Sequence, residues 1–236
     1  MPPTGHQAAS GSSSSRRGAP GPALFEFDRA LGVRFSVGAD EAGRGCLAGP
    51  LVAAGVCFEL ARVSASDVEV LCRLNDSKRV KPEHRGELFE AVHAVASSVV
   101  LVIRPAEVID RQGLHVTNIE ALSRALEGAA PAGVVGEPGL MEVMSDGFAV
   151  PFRGGVSTKL VKGDTRSAAI AAASIVAKVT RDRYMAELGE RWPEYGFAEH
   201  FGYATEVHRT AIRKHGPCLV HRMSFNSDAY NAPSST

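Results

Sequence analysis

Short apolar runs and longer amphipathic stretches alternate along the chain. Leu51 to Phe58 (LVAAGVCF) is an unbroken apolar run between Gly49-Pro50 and a polar segment, the pattern of a strand buried on both faces. Arg34 to Ala39 predicts a strand ahead of it. Only DEAGRGCLAGP separates the two, so an antiparallel pair is expected. From Pro82, whose missing N–H costs nothing at a helix start, Leu88, Ala91, Val92 and Val95 recur at helical spacing and give one buried face. Ser98 to Ile103 reads as a strand. Thr117-x-x-Glu120 has capping-box form before Ile119, Leu122 and Leu126 and predicts another helix. Met141 to Ser145 and Ser157 to Val161 are short strand candidates, and each delivers an aspartate next to a glycine, Asp146-Gly147 and Gly163-Asp164. Ser167 to about Leu188 predicts a long helix whose first half, Ala168 to Ala177, is small and apolar enough to pack closely on a sheet. An amphipathic helix running to Lys214 is expected after Phe201-Gly202-Tyr203. Strands in succession, then alternating with helices, argue an α/β fold: a mixed sheet with helices on both faces.

Composition adds boundaries to this picture. Residues 1–24 are rich in Gly, Ser, Pro and Ala without periodicity and are expected to be a disordered tail; 25–228 form one domain, and 229–236 a second short tail. With 44% hydrophobic and 22% charged residues, 236 residues suit a soluble domain with a substantial core. Twenty-six basic residues balance twenty-six acidic ones, so nucleic-acid binding would need a local patch rather than a global field. The four cysteines show no C-x-x-C or zinc-like spacing and read as reduced thiols. No apolar stretch approaches the ~20 residues of a membrane span, and a cytoplasmic protein is expected.

Candidate chemistry centres on Val37 to Pro50, VGADEAGRGCLAGP. Adjacent side chains in a strand point to opposite faces, so Asp40 and Glu41 could not share a site in mid-strand. Ala42, Gly43 and Gly45 predict that the strand ends here and that a turn brings Glu41 round to Asp40, beside Arg44. With Asp146 and Asp164, four acids stand at element ends. They supply oxygen ligands enough for two hard divalent cations, the usual clamp for displacement at phosphorus. Asp164 could alternatively cap the long helix. No G-x-x-x-x-G-K-[ST], H-E-x-x-H or G-x-S-x-G occurs. Arg209, Arg213, Lys214 and Arg222, with Lys78, Lys162 and Lys178, are candidate contacts to backbone phosphates. His208, His215 and His221 read as polar surface residues.

These residues together resemble the ribonuclease HII family, the type 2 ribonucleases H. The resemblance is carried by VGADEAGRGCLAGPLVAA (37–54), NDSKRVKPEHRGELFEAV (75–92), SDG (145–147), KGDTRSAAIAAASIVAKVTRD (162–182) and HFGYATEVHRTAIRKHGPCLVHRMSF (200–225). It implies a ribonuclease H-like fold, a five-stranded mixed sheet flanked by helices with a C-terminal helical extension. It also implies cleavage of RNA in RNA–DNA hybrids and 5′ to a ribonucleotide embedded in duplex DNA, by a monomer without membrane association. The family's catalytic acids fall on Asp40, Glu41, Asp146 and Asp164, which would hold two Mg²⁺ or Mn²⁺ ions. Gly43, Arg44 and Gly45 match the element that contacts the 2′-hydroxyl and phosphate at the RNA–DNA junction. Tyr203 matches the residue that stacks on the next sugar. Cys46 and Arg79-Val80 depart from the family's more usual Pro and Lys-Leu without removing a catalytic group. Two other classes compete: a non-catalytic hybrid-binding protein, against which four acids facing phosphates count, and a metal-dependent phosphatase, which leaves the Gly-Arg-Gly element and Tyr203 unexplained.

Overall fold

A computed structural model describes residues 20–231 apart from 138. Five strands form the central sheet: β1 (Phe35–Ala42), β2 (Leu51–Glu59), β3 (Ser98–Arg104), β4 (Met141–Asp146) and β5 (Thr158–Leu160), in the order β3-β2-β1-β4-β5. β1, β2 and β3 pair antiparallel, while β4 runs parallel to both β1 and β5. The apolar runs therefore became strands where expected. A small hairpin at 151–156 precedes β5.

Period-two alternation divides the sheet's residues between two helical layers. Val37 and Ala39 of β1 and Leu51, Ala53 and Cys57 of β2 join a core with α4 (Ala106–Gln112) and α5 (Leu114–Ala129). Val52, Ala54, Val56 and Phe58 face the other way, onto α1 (Pro20–Ala30), α2 (Ala65–Val70), α3 (Pro82–Val95) and α6 (Ala168–Arg191). The small residues at 168–177 allow α6 to lie directly on β1. A Cβ at Gly38 would run into the backbone of Ala169 and Ile170. A third core joins the distal half of α6 to α7 (Phe197–His200), α8 (Glu206–His215) and the Leu47-Ala48 loop. No helix among the described residues is long and apolar enough to cross a membrane.

Three local readings are corrected. The expected tail boundary at 24 falls inside α1, which begins at Pro20 and buries Leu24 and Phe25; residues 1–19 lie outside the described residues. α1 also delivers the buried Asp28, whose Oδ2 accepts from Ser36 Oγ at 2.9 Å and from the backbone N–H of Ala169 at 3.1 Å, at the start of α6. At the other end, Ala229 is buried and the Tyr230 hydroxyl donates to the Leu47 carbonyl at 3.1 Å, so the fold runs past 229. Finally, Thr117 is no cap. α5 starts three residues earlier, behind Gly113 at φ 84°, and the Thr117 hydroxyl bonds back to the Gly113 carbonyl at 2.9 Å.

Candidate active site

The carboxyl ends of β1 and β4 and the turn after β5 open into one cleft of about 380 Å³. β1 ends at Ala42 and the turn expected at Gly43–Gly45 follows it, but that turn is not what brings Glu41 round to Asp40. β1 stays paired with β2 through Asp40↔Ala54 and Glu41↔Ala53 to Ala42↔Val52, so the two acids leave opposite faces of one strand. They share a cleft because β1 loses its other neighbour first: the ladder with β4 ends at Ala39↔Ser145. Beyond that point both faces of β1 border an open edge. Asp40 lies on the α6 side, near Ser174, and Glu41 on the α5 side, toward Asn118. Asp146 ends β4 and accepts from the Gly163 N–H at 2.7 Å. Asp164 sits in a 3₁₀ turn at Gly163–Thr165, and Ser167 rather than Asp164 caps α6.

Burial and crowding raise the proton affinity of Asp40, Glu41 and Asp164. Burial, then the Glu41 charge, pushes Asp40 well above the usual carboxylate range. Burial lifts Glu41 from 4.5 to about 7; Arg44 opposes the rise and Asp146 adds to it. Asp164 rises to about 6 through burial and the charges of Asp146 and Asp76, with Lys78 opposing. Glu41 Oε2 is buried without a hydrogen-bond partner. Among the described residues, no three His, Cys, Asp or Glu side chains close into a ready-made metal cage. An oxygen-only set that repels itself and leaves a buried acceptor unsatisfied nevertheless fits hard cations in kind.

All the residues singled out from the sequence for this site line the cleft: the four acids, Gly43, Arg44, Gly45, Lys78 and Tyr203. Lys178 joins them, its Nζ 2.6 Å from Asp182 Oδ1 and over the Phe201 ring. Asp76, Ser77 and Ser174 also line it and were not singled out. Ser174 signals itself only as a hydroxyl in an otherwise apolar helix start. Lys162, Arg209, Arg213 and Lys214 do not line it.

Two arginines shape the cleft from beneath. Arg181 is buried and donates to the carbonyls of Pro50 (2.9 Å), Phe201 (2.9 Å) and Ala48 (3.1 Å). Arg222, read from the sequence as a phosphate contact, is fully buried and donates to the carbonyls of Gly49 and Arg44, both at 3.0 Å. Gly43 has φ +87°, and a Cβ there would strike the Arg181 side chain. The Gly-Arg-Gly turn is thus held through the Arg44 carbonyl, while the Arg44 and Gly45 residues themselves stay exposed. Arg44 spreads its guanidinium over Phe148 at 4.7 Å. Gly45 has open space where a Cβ would stand.

Tyr203 is 39% exposed at the cleft. Its loop docks on the same frame, since Gly202 accepts from the Leu47 N–H at 2.9 Å and a Cβ on Gly202 would meet the Ala48 carbonyl. Behind it the surface reading of two histidines is overturned. His208 and His221 are buried, with burial pushing each down to about 4, whereas His215 is exposed.

A family model described as Ribonuclease HII matches residues 37–228. A ribonuclease HII of Parafrankia sp. (strain EAN1pec) is 44% identical over 214 residues, covering 89% of this chain and 84% of that one. Among solved structures, the ribonuclease H2 from Pyrococcus horikoshii OT3 matches with TM-score 0.66 at 21% identity, covering 84% of this chain and 95% of that one. Bst-RNase HIII in complex with Mn²⁺ matches with TM-score 0.67 at 20% identity, covering 87% and 71%. These two share the fold described above.

Proposed function

Because the chain belongs to the ribonuclease HII family, we propose that it is an endonuclease cutting the RNA strand of RNA–DNA hybrids and cutting 5′ to a ribonucleotide embedded in duplex DNA. The products carry 3′-hydroxyl and 5′-phosphate ends, and the reaction removes misincorporated ribonucleotides and RNA primers. The observation that carries this reading is the meeting of four carboxylates with the Gly-Arg-Gly turn and Tyr203 in one cleft.

In this reading Asp40, Glu41, Asp146 and Asp164 hold two divalent ions, Mg²⁺ or Mn²⁺. Asp40 would serve both ions, Glu41 and Asp146 would help hold one, and Asp164 the other. When bound, such a pair activates a water for attack and stabilises the departing 3′ oxygen. The chain's own groups position the substrate. Arg44 and Lys78 meet phosphates, as cations at the cleft wall. The bare backbone at Gly45 lets a ribose approach closely enough for its 2′-hydroxyl to be read, the group that separates RNA from DNA. Tyr203 offers a flat face to the neighbouring sugar. A phosphatase would use the acids but give the turn and the tyrosine nothing to do. Incubation with labelled duplex DNA carrying one ribonucleotide, with and without Mg²⁺, tests the proposal: one incision 5′ to the ribonucleotide is expected only with the metal, and binding without incision would refute it.

A further inference from the structure

We propose that His208, braced by His221 and His200, is a positioning residue that sets where Tyr203 stands at the cleft. The inference rests on the junction-reading role given to Tyr203 above. Its basis is a hydrogen-bond chain whose protons can be placed by elimination. A carbonyl only accepts, so His208 Nδ1, 2.9 Å from the Tyr203 carbonyl, must carry a proton. The neutral ring then has a bare Nε2, which faces His221 Nε2 at 3.1 Å; that nitrogen must donate. His221 Nδ1 is therefore bare, as the Cys218 N–H pointing at it from 2.9 Å independently requires. The Cys218 carbonyl is farther, at 3.3 Å. His200 closes the frame. Its Nε2 donates to the Tyr195 carbonyl at 2.7 Å and its Nδ1 accepts from the Gly202 N–H at 3.2 Å. Its own carbonyl accepts from the Tyr203 N–H at 3.0 Å.

The Tyr203 peptide is thus gripped from both sides by imidazole-bearing residues. The rings of His200 and His208 lie stacked at 4.4 Å, with Phe197 edge-on to His208 at 5.4 Å. A second proton on His208 would set two N–H groups against each other across the 3.1 Å contact. The arrangement holds together only with all three rings neutral and with His208 in the less common Nδ1–H form.

Two measurements on the full chain test this. In ¹⁵N-histidine-labelled protein at pH 7, long-range ¹H–¹⁵N correlations should show Nδ1–H for His208 and Nε2–H for His200 and His221. An Nε2–H or doubly protonated His208 would overturn the proposal. The second compares kcat/KM on a duplex with one ribonucleotide against a uniform RNA–DNA hybrid. His208→Leu should lower that ratio about tenfold, the scale of one buried hydrogen bond, and should add little in a Tyr203→Ala background. His208→Asn, whose amide nitrogen can stand where Nδ1 stood, should recover most of it. If the Leu variant does not fold, the Asn variant decides: a ratio near wild type supports the proposal, and one as low as Tyr203→Ala overturns it. Should Tyr203→Ala leave the ratio unchanged, the junction role of Tyr203 fails. The tautomers, and the Tyr203 ring signals in His208→Asn and wild type, then still decide whether His208 holds that residue.

Discussion

Glu41→Gln should make the metal-free protein more stable and the enzyme inactive. Burial and the Asp146 charge raise the Glu41 carboxyl from 4.5 to about 7. At about 1.4 kcal/mol for each pH unit, that rise corresponds to about 3 kcal/mol against the ionised native state. The sign follows from linkage. Between pH 4.5 and about 7 the native state binds a proton that the unfolded chain releases, so wild-type stability falls as pH rises through this window. The penalty is complete above pH 7 and absent below pH 4.5. Glutamine carries no such penalty, and for a chain of this size about 3 kcal/mol is roughly 6–12 °C in Tm. Thermal unfolding should therefore be followed from pH 4.5 to 8 in EDTA and again in Mg²⁺. The variant should gain most at pH 8 in EDTA, converge with wild type near pH 4.5, and lose its advantage in Mg²⁺, which stabilises the native state of wild type by mass action. A variant no more stable than wild type at pH 8 in EDTA would refute the picture of self-repelling acids.

Asp40→Asn and Asp164→Asn should each abolish cleavage with the fold intact by circular dichroism; wild-type turnover by either in Mg²⁺ would remove that residue from the metal set. Tyr203→Ala should cost about five- to hundredfold on a single-ribonucleotide duplex, by analogy with base–aromatic stacking of about 1–3 kcal/mol, and less on a uniform hybrid. Equal losses would reduce Tyr203 to general binding. In Ca²⁺, hybrid affinity should fall with salt, and Lys78→Ala should flatten the log–log slope by about 0.9 if the side chain neutralises one phosphate. The same change at Lys162, outside the cleft, should leave the slope as it is.

The strands were legible because each is an apolar run bounded by turn residues, and the acids because they stand where those runs stop. What the pattern could not carry was direction and depth. Asp40 and Glu41 were expected to share a site through a turn; they share it because one ladder ends before the other. Arg181, Arg222, His208 and His221 look like surface residues in a one-dimensional reading, since burial of a charged or polar side chain depends on acceptors distant in sequence. Arg222 finds its carbonyl 178 residues away, at Arg44. Thr117 had the right neighbours for a cap, but its hydroxyl turned back on the preceding turn. The first helix was hidden by its Pro-Gly-Pro start, which matches the composition of the segment before it.

That first helix also bears on where this chain can be shortened. The family model begins at Val37, so a version trimmed to that point would keep everything that model matches. It would lack Asp28, and the Ala169 N–H would lose its acceptor at the start of the helix that carries Ser174, Lys178 and Arg181. It would also open the hole filled by Leu24 and by Phe25, whose ring meets Phe58 edge-on at 5.2 Å. The stretch that the family model matches and the stretch that packs into this chain's core therefore differ by one helix, and a boundary drawn at Val37 would cut between them.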